Sequence, residues 1–208
     1  MMKFYYAPYT CALASHIALE EVGADYEAIR IDFKSAQQLS ADYLSINPKG
    51  RVPALVTDRG VITETPAILA YIAQTNPGSE LAPIIDPFAF AEVQSLTSYL
   101  CSTVHPAHSH GIRGARWADD PAAHEAMKAK VPQNMTDHFT VLENRYFRGP
   151  WMMGDTYTIV DPYLFTIAEW LKQDSVDINK FPRIADHFNR MKQRPAVAKA
   201  VAEERGKS

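Results

Sequence analysis

The first 32 residues place a strand, a helix and a second strand in quick succession, and this order constrains the fold most. Lys3 to Ala7 predicts a strand because three neighbouring aromatic residues lie within it. Apolar residues then recur at helical spacing from Leu13 to Val22, and Gly23 suits a C-terminal cap. Tyr26 to Asp32 alternates as a second strand does. A β-α-β unit this short predicts two parallel strands joined by one crossover helix.

The next part of the chain continues this mixed pattern. The stretch SADYLSINP predicts a short helix that ends near Asn47. Pro53 to Thr57 and Val61 to Thr63 predict the strands of a hairpin, joined by a glycine-containing turn. A helix follows in TPAILAYIAQT, where Pro66 is suited to a first turn. The predicted order is therefore β-α-β-α-β-β-α.

A stretch rich in proline and small residues separates this half from a second half with almost no strand signal. We predict an α/β domain over residues 1–78, a linker over 79–86 and an all-helical domain over 87–208. The fold class is thus α/β followed by all-α, in two modest domains.

Helical signals dominate the second half. Phe88 to Val104 predicts a long helix that is interrupted at Pro106. Ala122 to Tyr146 predicts another, with a kink or break at Pro132. Further helices are predicted over 158–172, 181–193 and 196–204.

The stretch TYTIVDPYLF carries a local signal for a helix start. Thr158 precedes Asp161 by three residues, which is a capping-box pattern with Asp in place of the usual Glu. Each side chain can satisfy a backbone N–H near the helix start, so we interpret this pair as a folding device without a catalytic role.

Composition excludes several classes of protein. The chain of 208 residues is 47% hydrophobic and 22% charged, which is ordinary for a globular protein. A net charge of −3 gives no reason to expect a nucleic-acid partner, and no apolar run is long enough to span a membrane. Two cysteines, Cys11 and Cys101, form no disulfide framework. With no secretory signal pattern at the start, we expect a cytoplasmic protein.

Cys11 lies at or just before the first turn of the first predicted helix. Unpaired N–H groups and the helix dipole favour negative charge there, so a thiolate forms more easily. A small buried hydrophobic residue is the alternative interpretation, because free cysteines are usually buried. The sequence leaves both open.

Four stretches together resemble one known family: APYTCALASHIALEEVG, NPKGRVPAL, TETPAILAYIA and GDTYTIVDPYLF. They occur in the order found in cytosolic glutathione transferases, and the details are most similar to the bacterial beta class. The resemblance implies a thioredoxin-like N-terminal domain, a helical C-terminal domain with a hydrophobic substrate site, and a homodimer. It implies glutathione as co-substrate and no metal.

The resemblance also implies which residues bind glutathione. Val52 precedes Pro53 through a bond that is cis in the family, so that the Val52 backbone pairs with the cysteinyl part of glutathione. Glu64 and Thr65 correspond to the residues that take the γ-glutamyl end, partly as anion binding at a helix N-terminus. Thr65 stands where Ser or Gly is usual, and the following Pro66 lacks a backbone donor. In sequence, Lys34 and Arg51 flank this pocket, and Lys34 is a candidate for the glycine carboxylate.

Three residues are candidates for catalysis by resemblance. Cys11 would form a mixed disulfide with glutathione or hydrogen-bond its thiolate. His105 would accept a proton or orient the sulfur as a neutral imidazole. Tyr6 is one of several nearby hydroxyls that could share the role, together with Tyr9 and Thr10.

Other features of these stretches limit or leave open the chemistry. A C-x-x-C cycle through Cys11 is unavailable because position 14 is alanine. His105, His108 and His110 do not share a helix face, so we expect no metal among them. The sequence does not decide whether Trp117 lines the substrate pocket.

The predicted activity is transfer of the glutathione thiolate to small hydrophobic electrophiles, with thiol-disulfide exchange through Cys11 as an addition. An alternative is a glutathione-dependent thiol transferase, etherase or dehalogenase that uses Cys11 covalently. A second alternative is a non-catalytic glutathione-binding protein or ligand carrier.

Overall fold

A four-stranded mixed sheet forms the centre of the first half in a computed structural model that describes residues 1–206. The strand order is β2-β1-β3-β4, and β1 is parallel to β2 but antiparallel to β3. β3 and β4 form the predicted hairpin. The strands are β1 (Met2–Tyr6), β2 (Tyr26–Arg30), β3 (Ala54–Thr57) and β4 (Gly60–Thr63).

Helices cover the sheet and build the second half. Three belong to the first half: α1 (Ala12–Glu21), α2 (Ala41–Ile46) and α3 (Thr65–Thr75). The others are α4 (Pro87–Tyr99), α5 (His105–Ser109), α6 (Pro121–Val141), α7 (Val160–Ala168), α8 (Pro182–Lys192) and α9 (Pro195–Arg205). The order β-α-β-α-β-β-α and the all-helical second half are confirmed. The boundaries of the two domains and of the linker stay predictions.

Helix α1 lies at the centre of the molecule. Every residue from Ala12 to Leu19 is buried, because α1 packs against α3 on one side and against α7 and α9 on others. Gly23 follows the helix with φ +61°, a left-handed conformation that glycine adopts without a Cβ penalty. The first half therefore completes its core with side chains from the second half.

Two prolines do not end the helices, so the predicted interruption at Pro106 and a break at Pro132 are both wrong. A π turn at Leu100–Val104 links α4 to α5, and the helical path continues through Pro106. Proline lacks an N–H and its ring crowds the carbonyl four residues earlier, which a π turn accommodates by widening the coil. Helix α6 likewise runs past Pro132, which lies in its interior.

The Thr158–Asp161 pair anchors the start of α7 as predicted. The Thr158 N–H donates to Asp161 Oδ2 at 2.7 Å, which is one half of a capping box. The Thr158 hydroxyl accepts from the Val160 N–H at 3.4 Å rather than from the third residue. Asp161 also receives the Met152 N–H and the His187 ring, so this buried carboxylate ties three segments together.

Of the helices in residues 1–206, none combines the length and apolar character that a bilayer crossing requires.

Candidate active site

A cleft of about 460 Å³ opens between the sheet half and the helical half. Its volume falls within the range of about 300–1,000 Å³ that is typical of small-molecule sites. One wall comes from the loop before α1, the segment before β3 and the start of α3. The opposite wall comes from the α4–α5 region, the loop after α5, and α7.

The segment before β3 presents free backbone groups to this cleft. The Val52–Pro53 peptide bond is cis, which confirms the prediction, and both residues line the cleft. The preceding Arg51 carbonyl oxygen is held by the Tyr43 hydroxyl at 2.7 Å and by the Asn47 side chain at 2.6 Å. Within residues 1–206 the Val52 N–H has no hydrogen-bond partner. A backbone donor held in place at a cleft wall is ready to pair with an extended ligand.

Helix α3 begins at the same wall. Thr65 is its first residue, is buried and lines the cleft beside Glu64. Glu64 has φ +74°, a left-handed conformation that is unusual for a residue with a side chain and recurs at ligand sites. Its carboxylate pairs with Lys49. The helix N-terminus, although Pro66 removes one donor, offers an anion site to the cleft.

Cys11 lines the cleft but is not an activated thiol in this structure. Its Sγ lies 3.8 Å from the Val52 carbonyl oxygen, and the side chain is half-buried. Burial raises the pKa of the thiol to about 11, and the Thr65 hydroxyl opposes that rise only in part. Of the two interpretations that the sequence left open, the direction of this pKa favours the buried thiol, because burial is the largest cause of the rise.

His105 faces the same space from the helical half. Its ring lies 4.8 Å from the ring of Trp170, and both line the cleft. Burial lowers the pKa of His105 to about 4, and the neighbouring His108, Arg116 and Arg51 add to that effect. The imidazole is therefore neutral at physiological pH. A base this weak can orient a thiol by accepting its hydrogen bond, but it does not hold the proton once the thiol ionises.

Tyr6 lies outside the cleft, so the structure does not bring this predicted catalytic residue to the candidate site. Strand alternation buries Tyr6 on the face of β1 that also carries Phe4, and its hydroxyl approaches the Glu203 carbonyl oxygen at 3.5 Å. Tyr9 and Thr10, the alternatives beyond the strand, line the cleft instead.

Of the two basic residues predicted to flank the glutathione pocket, Arg51 lines the cleft and Lys34 does not. Arg51 lines the cleft next to Val52. Lys34 is exposed and is not part of the cleft wall, although its neighbour Phe33 is. A role for Lys34 stays a prediction.

Several cleft residues lie too far apart in sequence for pattern analysis to bring them together. Cys101, on the π turn, and Tyr163, on α7, meet in the cleft wall, and the Tyr163 hydroxyl is buried without a hydrogen-bond partner within residues 1–206. The loop after α5 contributes Arg113, Arg116 and Trp117. The stretch GIRGARWADD shows the tryptophan and the nearby arginines, but the sequence does not predict that their side chains line the cleft.

The three histidines of the α5 region have different polar partners and directions, although His105 and His108 both pack on the Trp170 ring. His108 is buried and bonds Asp174 at 2.8 Å, while His110 packs on Trp117 at 4.4 Å between ring centroids. They do not converge with His105 on one point.

A different group, on α1 and α9, has the spacing of metal ligands. His16, Glu20 and Glu203 bring one ligand atom each within 4.8 Å of one another. Lys199 pairs with Glu20 at 2.7 Å and also approaches Glu203, so one ammonium group already offsets part of their negative charge.

Comparison with known proteins identifies the family. The family model "Glutathione S-transferase, N-terminal domain" matches residues 1–74, and "Glutathione S-transferase, C-terminal domain" matches residues 107–204. Glutathione S-transferase GstA of Escherichia coli O157:H7 is 30% identical over 205 residues, with 98% of each chain covered. The chain therefore belongs to the glutathione S-transferase family.

Solved structures agree with this assignment. A glutathione transferase homologue from Sulfitobacter with bound glutathione superimposes with a TM-score of 0.94 at 41% identity, covering 98% of both chains. A beta-class enzyme from Sphingomonas chungbukensis gives a TM-score of 0.86 at 30% identity, covering 99% of this chain and 100% of the other. The thioredoxin-like domain and the helical domain are thus confirmed, and the neighbours are beta-class-like.

Proposed function

We propose that this protein is a glutathione transferase that joins the sulfur of glutathione to an electrophilic carbon. One observation carries the proposal. The unpartnered Val52 N–H and the N-terminus of α3 face His105 across a single cleft. A γ-glutamyl tripeptide needs a backbone partner for its cysteinyl unit and a site for its γ-glutamyl carboxylate, and both are present on one wall.

Binding follows from the groups on that wall. The Val52 N–H and C=O pair with the cysteinyl unit of glutathione, displacing the weak contact between Val52 and the Cys11 thiol. The Thr65 hydroxyl and the start of α3 receive the γ-glutamyl carboxylate, and Glu64 receives the α-amino group. Arg51, which lines the cleft beside Val52, is a candidate for the glycine carboxylate together with Lys34. These contacts fix the tripeptide before it reacts.

The chemical step then needs little from the protein beyond orientation. His105, held neutral, accepts a hydrogen bond from the glutathione thiol, and the proton passes to water. The resulting thiolate attacks the electrophilic carbon. A C–S bond forms, and the leaving group departs with the electron pair of the bond that breaks. Holding both reactants in one cleft supplies much of the rate.

Glutathione binding and conjugation can be tested separately. Calorimetry with glutathione should show binding, and 1-chloro-2,4-dinitrobenzene should be converted to its glutathione conjugate with release of chloride. Absence of heat at millimolar glutathione from folded protein would refute the proposal. Binding without turnover of any electrophile would favour a ligand carrier.

Thiol-disulfide exchange through Cys11 is the second candidate, because Cys11 is the thiol nearest the Val52 backbone. In this reaction the Cys11 sulfur attacks a glutathione mixed disulfide, and the partner thiol leaves. The raised pKa of Cys11 slows such attack at neutral pH. Reduction of hydroxyethyl disulfide that is lost in Cys11→Ala, while arene conjugation persists, would assign this activity to Cys11.

We also propose a homodimer, as the family resemblance implies. Ile85 and Phe88 are 94% and 76% exposed near the start of α4, and exposed apolar residues of this size are suited to an interface. Sedimentation at micromolar concentration measures the state, and Phe88→Ser should shift it toward monomer.

A further inference from the structure

Three arginines line the cleft, and we refer to Arg51, Arg113 and Arg116 as the arginine patch. Arg51 belongs to the sheet half, whereas Arg113 and Arg116 belong to the loop after α5. All three are exposed at the mouth of the same cleft. Burial lowers the pKa of Arg116, and the charges of Arg51 and Arg113 lower it further. Gathering like charges in a cleft is unfavourable unless a ligand of opposite charge offsets it.

Within residues 1–206, no carboxylate forms a salt bridge with the arginine patch. Five arginines elsewhere in the molecule do form salt bridges with acidic residues, namely Arg148, Arg183, Arg190, Arg194 and Arg205. Glu64, an acidic residue of the cleft wall, is already paired with Lys49. The patch therefore gives the cleft a local positive charge, although the whole chain has a net charge of −3.

The two arginines of the helical half stand beside a flat apolar surface. Trp117 is 47% exposed and Ile112 is 54% exposed, and both line the cleft. His110 packs against Trp117 at 4.4 Å between ring centroids and holds the indole in place. An aromatic or planar unsaturated group can stack here while a charged substituent reaches Arg113 or Arg116.

Glutathione does not need these two arginines. In the proposed binding mode, the start of α3 receives its γ-glutamyl carboxylate and Arg51, on the same wall, is available to its glycine carboxylate. Arg113 and Arg116 lie on the opposite wall with His105 and Trp170, where the second reactant must enter. Their charge is therefore available to that reactant.

We propose that the second substrate of this cleft is an aromatic or unsaturated electrophile that carries a carboxylate, bound by Arg113 and Arg116 beside Trp117. This inference rests on the proposed function and deepens it. The hydrophobic electrophile that the family resemblance implied is thereby replaced by an anionic one.

Two chloronitroarenes with the same reactive carbon but different charge provide the test: the anionic 4-chloro-3-nitrobenzoate and the neutral 4-chloro-3-nitrobenzamide. In both, the glutathione sulfur attacks the ring carbon that bears chlorine, the C–S bond forms, and chloride leaves with the electron pair. Kinetics are measured for the unaltered protein, for Arg113→Gln, for Arg116→Gln and for the double variant. Arg59→Gln, in the exposed turn of the β3–β4 hairpin, is the matched control.

We expect the double variant to lose about tenfold or more in kcat/KM for the benzoate, since charge-assisted hydrogen bonds contribute this much. Turnover of the benzamide should change less than twofold, as should the KM for glutathione. Arg59→Gln should match the unaltered protein on both arenes. An equal loss on both arenes would show that the arginines serve glutathione or the thiolate, and it would overturn the proposal. So would an unchanged benzoate rate.

A binding measurement keeps the inference separate from the conjugation reaction. The protein is saturated with S-methylglutathione and titrated with unreactive 3-nitrobenzoate or 3-nitrobenzamide. Benzoate should bind at least about tenfold more tightly than benzamide, and the preference should shrink as ionic strength rises. Equal affinities would refute the inference even if conjugation is observed. If neither arene is turned over but the benzoate preference holds and disappears in the double variant, the proposed function fails and the anion site stands.

Discussion

The Cys11 thiol lies 3.8 Å from the carbonyl oxygen of Val52, where the S–H can donate to it. A thiol in this position is a donor that holds its proton, which agrees with the direction of its pKa. The same carbonyl is the acceptor that an extended ligand would use. Cys11 therefore occupies the sulfur end of the ligand-binding wall and must give way when the ligand binds.

Cys11 should react slowly with alkylating agents in the ligand-free protein. With a pKa of about 11, about one thiol in a thousand is ionised at pH 8, against about a quarter for an ordinary cysteine. In Cys101→Ser, which isolates Cys11, alkylation by iodoacetamide should be more than tenfold slower than for free cysteine at pH 8. The rate should still rise above pH 10. A plateau that begins near pH 8 would contradict the raised pKa.

His105 should titrate well below an ordinary histidine. Because burial lowers its pKa from 6.5 to about 4, the ring stays neutral above about pH 5. The His105 resonance, assigned by its loss in His105→Gln, should titrate in NMR with a midpoint near 4. The unfolded chain takes up this proton more readily, so the free energy of unfolding falls as pH drops below about 6.5. A midpoint above 6 would contradict this assignment.

Thr65→Val should weaken glutathione binding about tenfold or more. The change keeps the shape of the side chain but removes the hydroxyl that we propose binds the γ-glutamyl carboxylate, and hydrogen bonds to charged groups contribute this much. Calorimetry measures the dissociation constant. Thr75→Val, at the far end of the same helix, is the control and should bind as the unaltered protein does. Equal affinities for all three proteins would remove Thr65 from the site.

Asp161→Ala should destabilise the protein by about 3–5 kcal/mol, because it leaves buried donors of three segments without an acceptor. The Met152 N–H, the Thr158 N–H and His187 all depend on this carboxylate. Urea unfolding measures the free energy. Asp186→Ala is the control, since its partner Arg190 lies at the surface and the loss should stay below about 1 kcal/mol. Similar losses in both variants would argue against the anchoring role.

Tyr6→Phe should leave conjugation within twofold of the unaltered rate. The Tyr6 hydroxyl makes one long contact, 3.5 Å to the Glu203 carbonyl oxygen, and does not face the cleft. Initial rates with 1-chloro-2,4-dinitrobenzene decide the matter, with His105→Gln as the variant expected to lose activity. A tenfold loss in Tyr6→Phe would return this residue to the site.

Local patterns in the sequence predicted the order of strands and helices along the first half of the chain, and the family resemblance predicted the cis peptide bond before Pro53. Gly23 ends α1 and the glycine-containing turn closes the hairpin, because each needs only its neighbours in the chain. The wrong predictions at Pro106 and Pro132 arose because they too used only neighbouring residues in the chain. Whether a helix continues past a proline depends on tertiary packing and, at Pro106, on a preceding π turn that no local pattern predicts.

Only the site residues within the stretches that resemble the family could be predicted from the sequence. Val52, Glu64 and Thr65 lie on one wall, each within a recognisable stretch, and the structure brings them together. The pKa of Cys11 depends on burial by residues from both halves, which a helix-start pattern does not contain. Arg116 lies in a loop whose direction only tertiary structure decides.

Helix α9 has a consequence for how the chain is made. Leu13 and Ile17 of α1 share an apolar cluster with Val197 and Ala200, and His16 bonds Glu204, 188 positions later. While the polypeptide leaves the ribosome, the first helix thus stays incompletely covered until α9 has emerged. The glutathione-binding half can therefore reach its mature packing only after α9 has been synthesised.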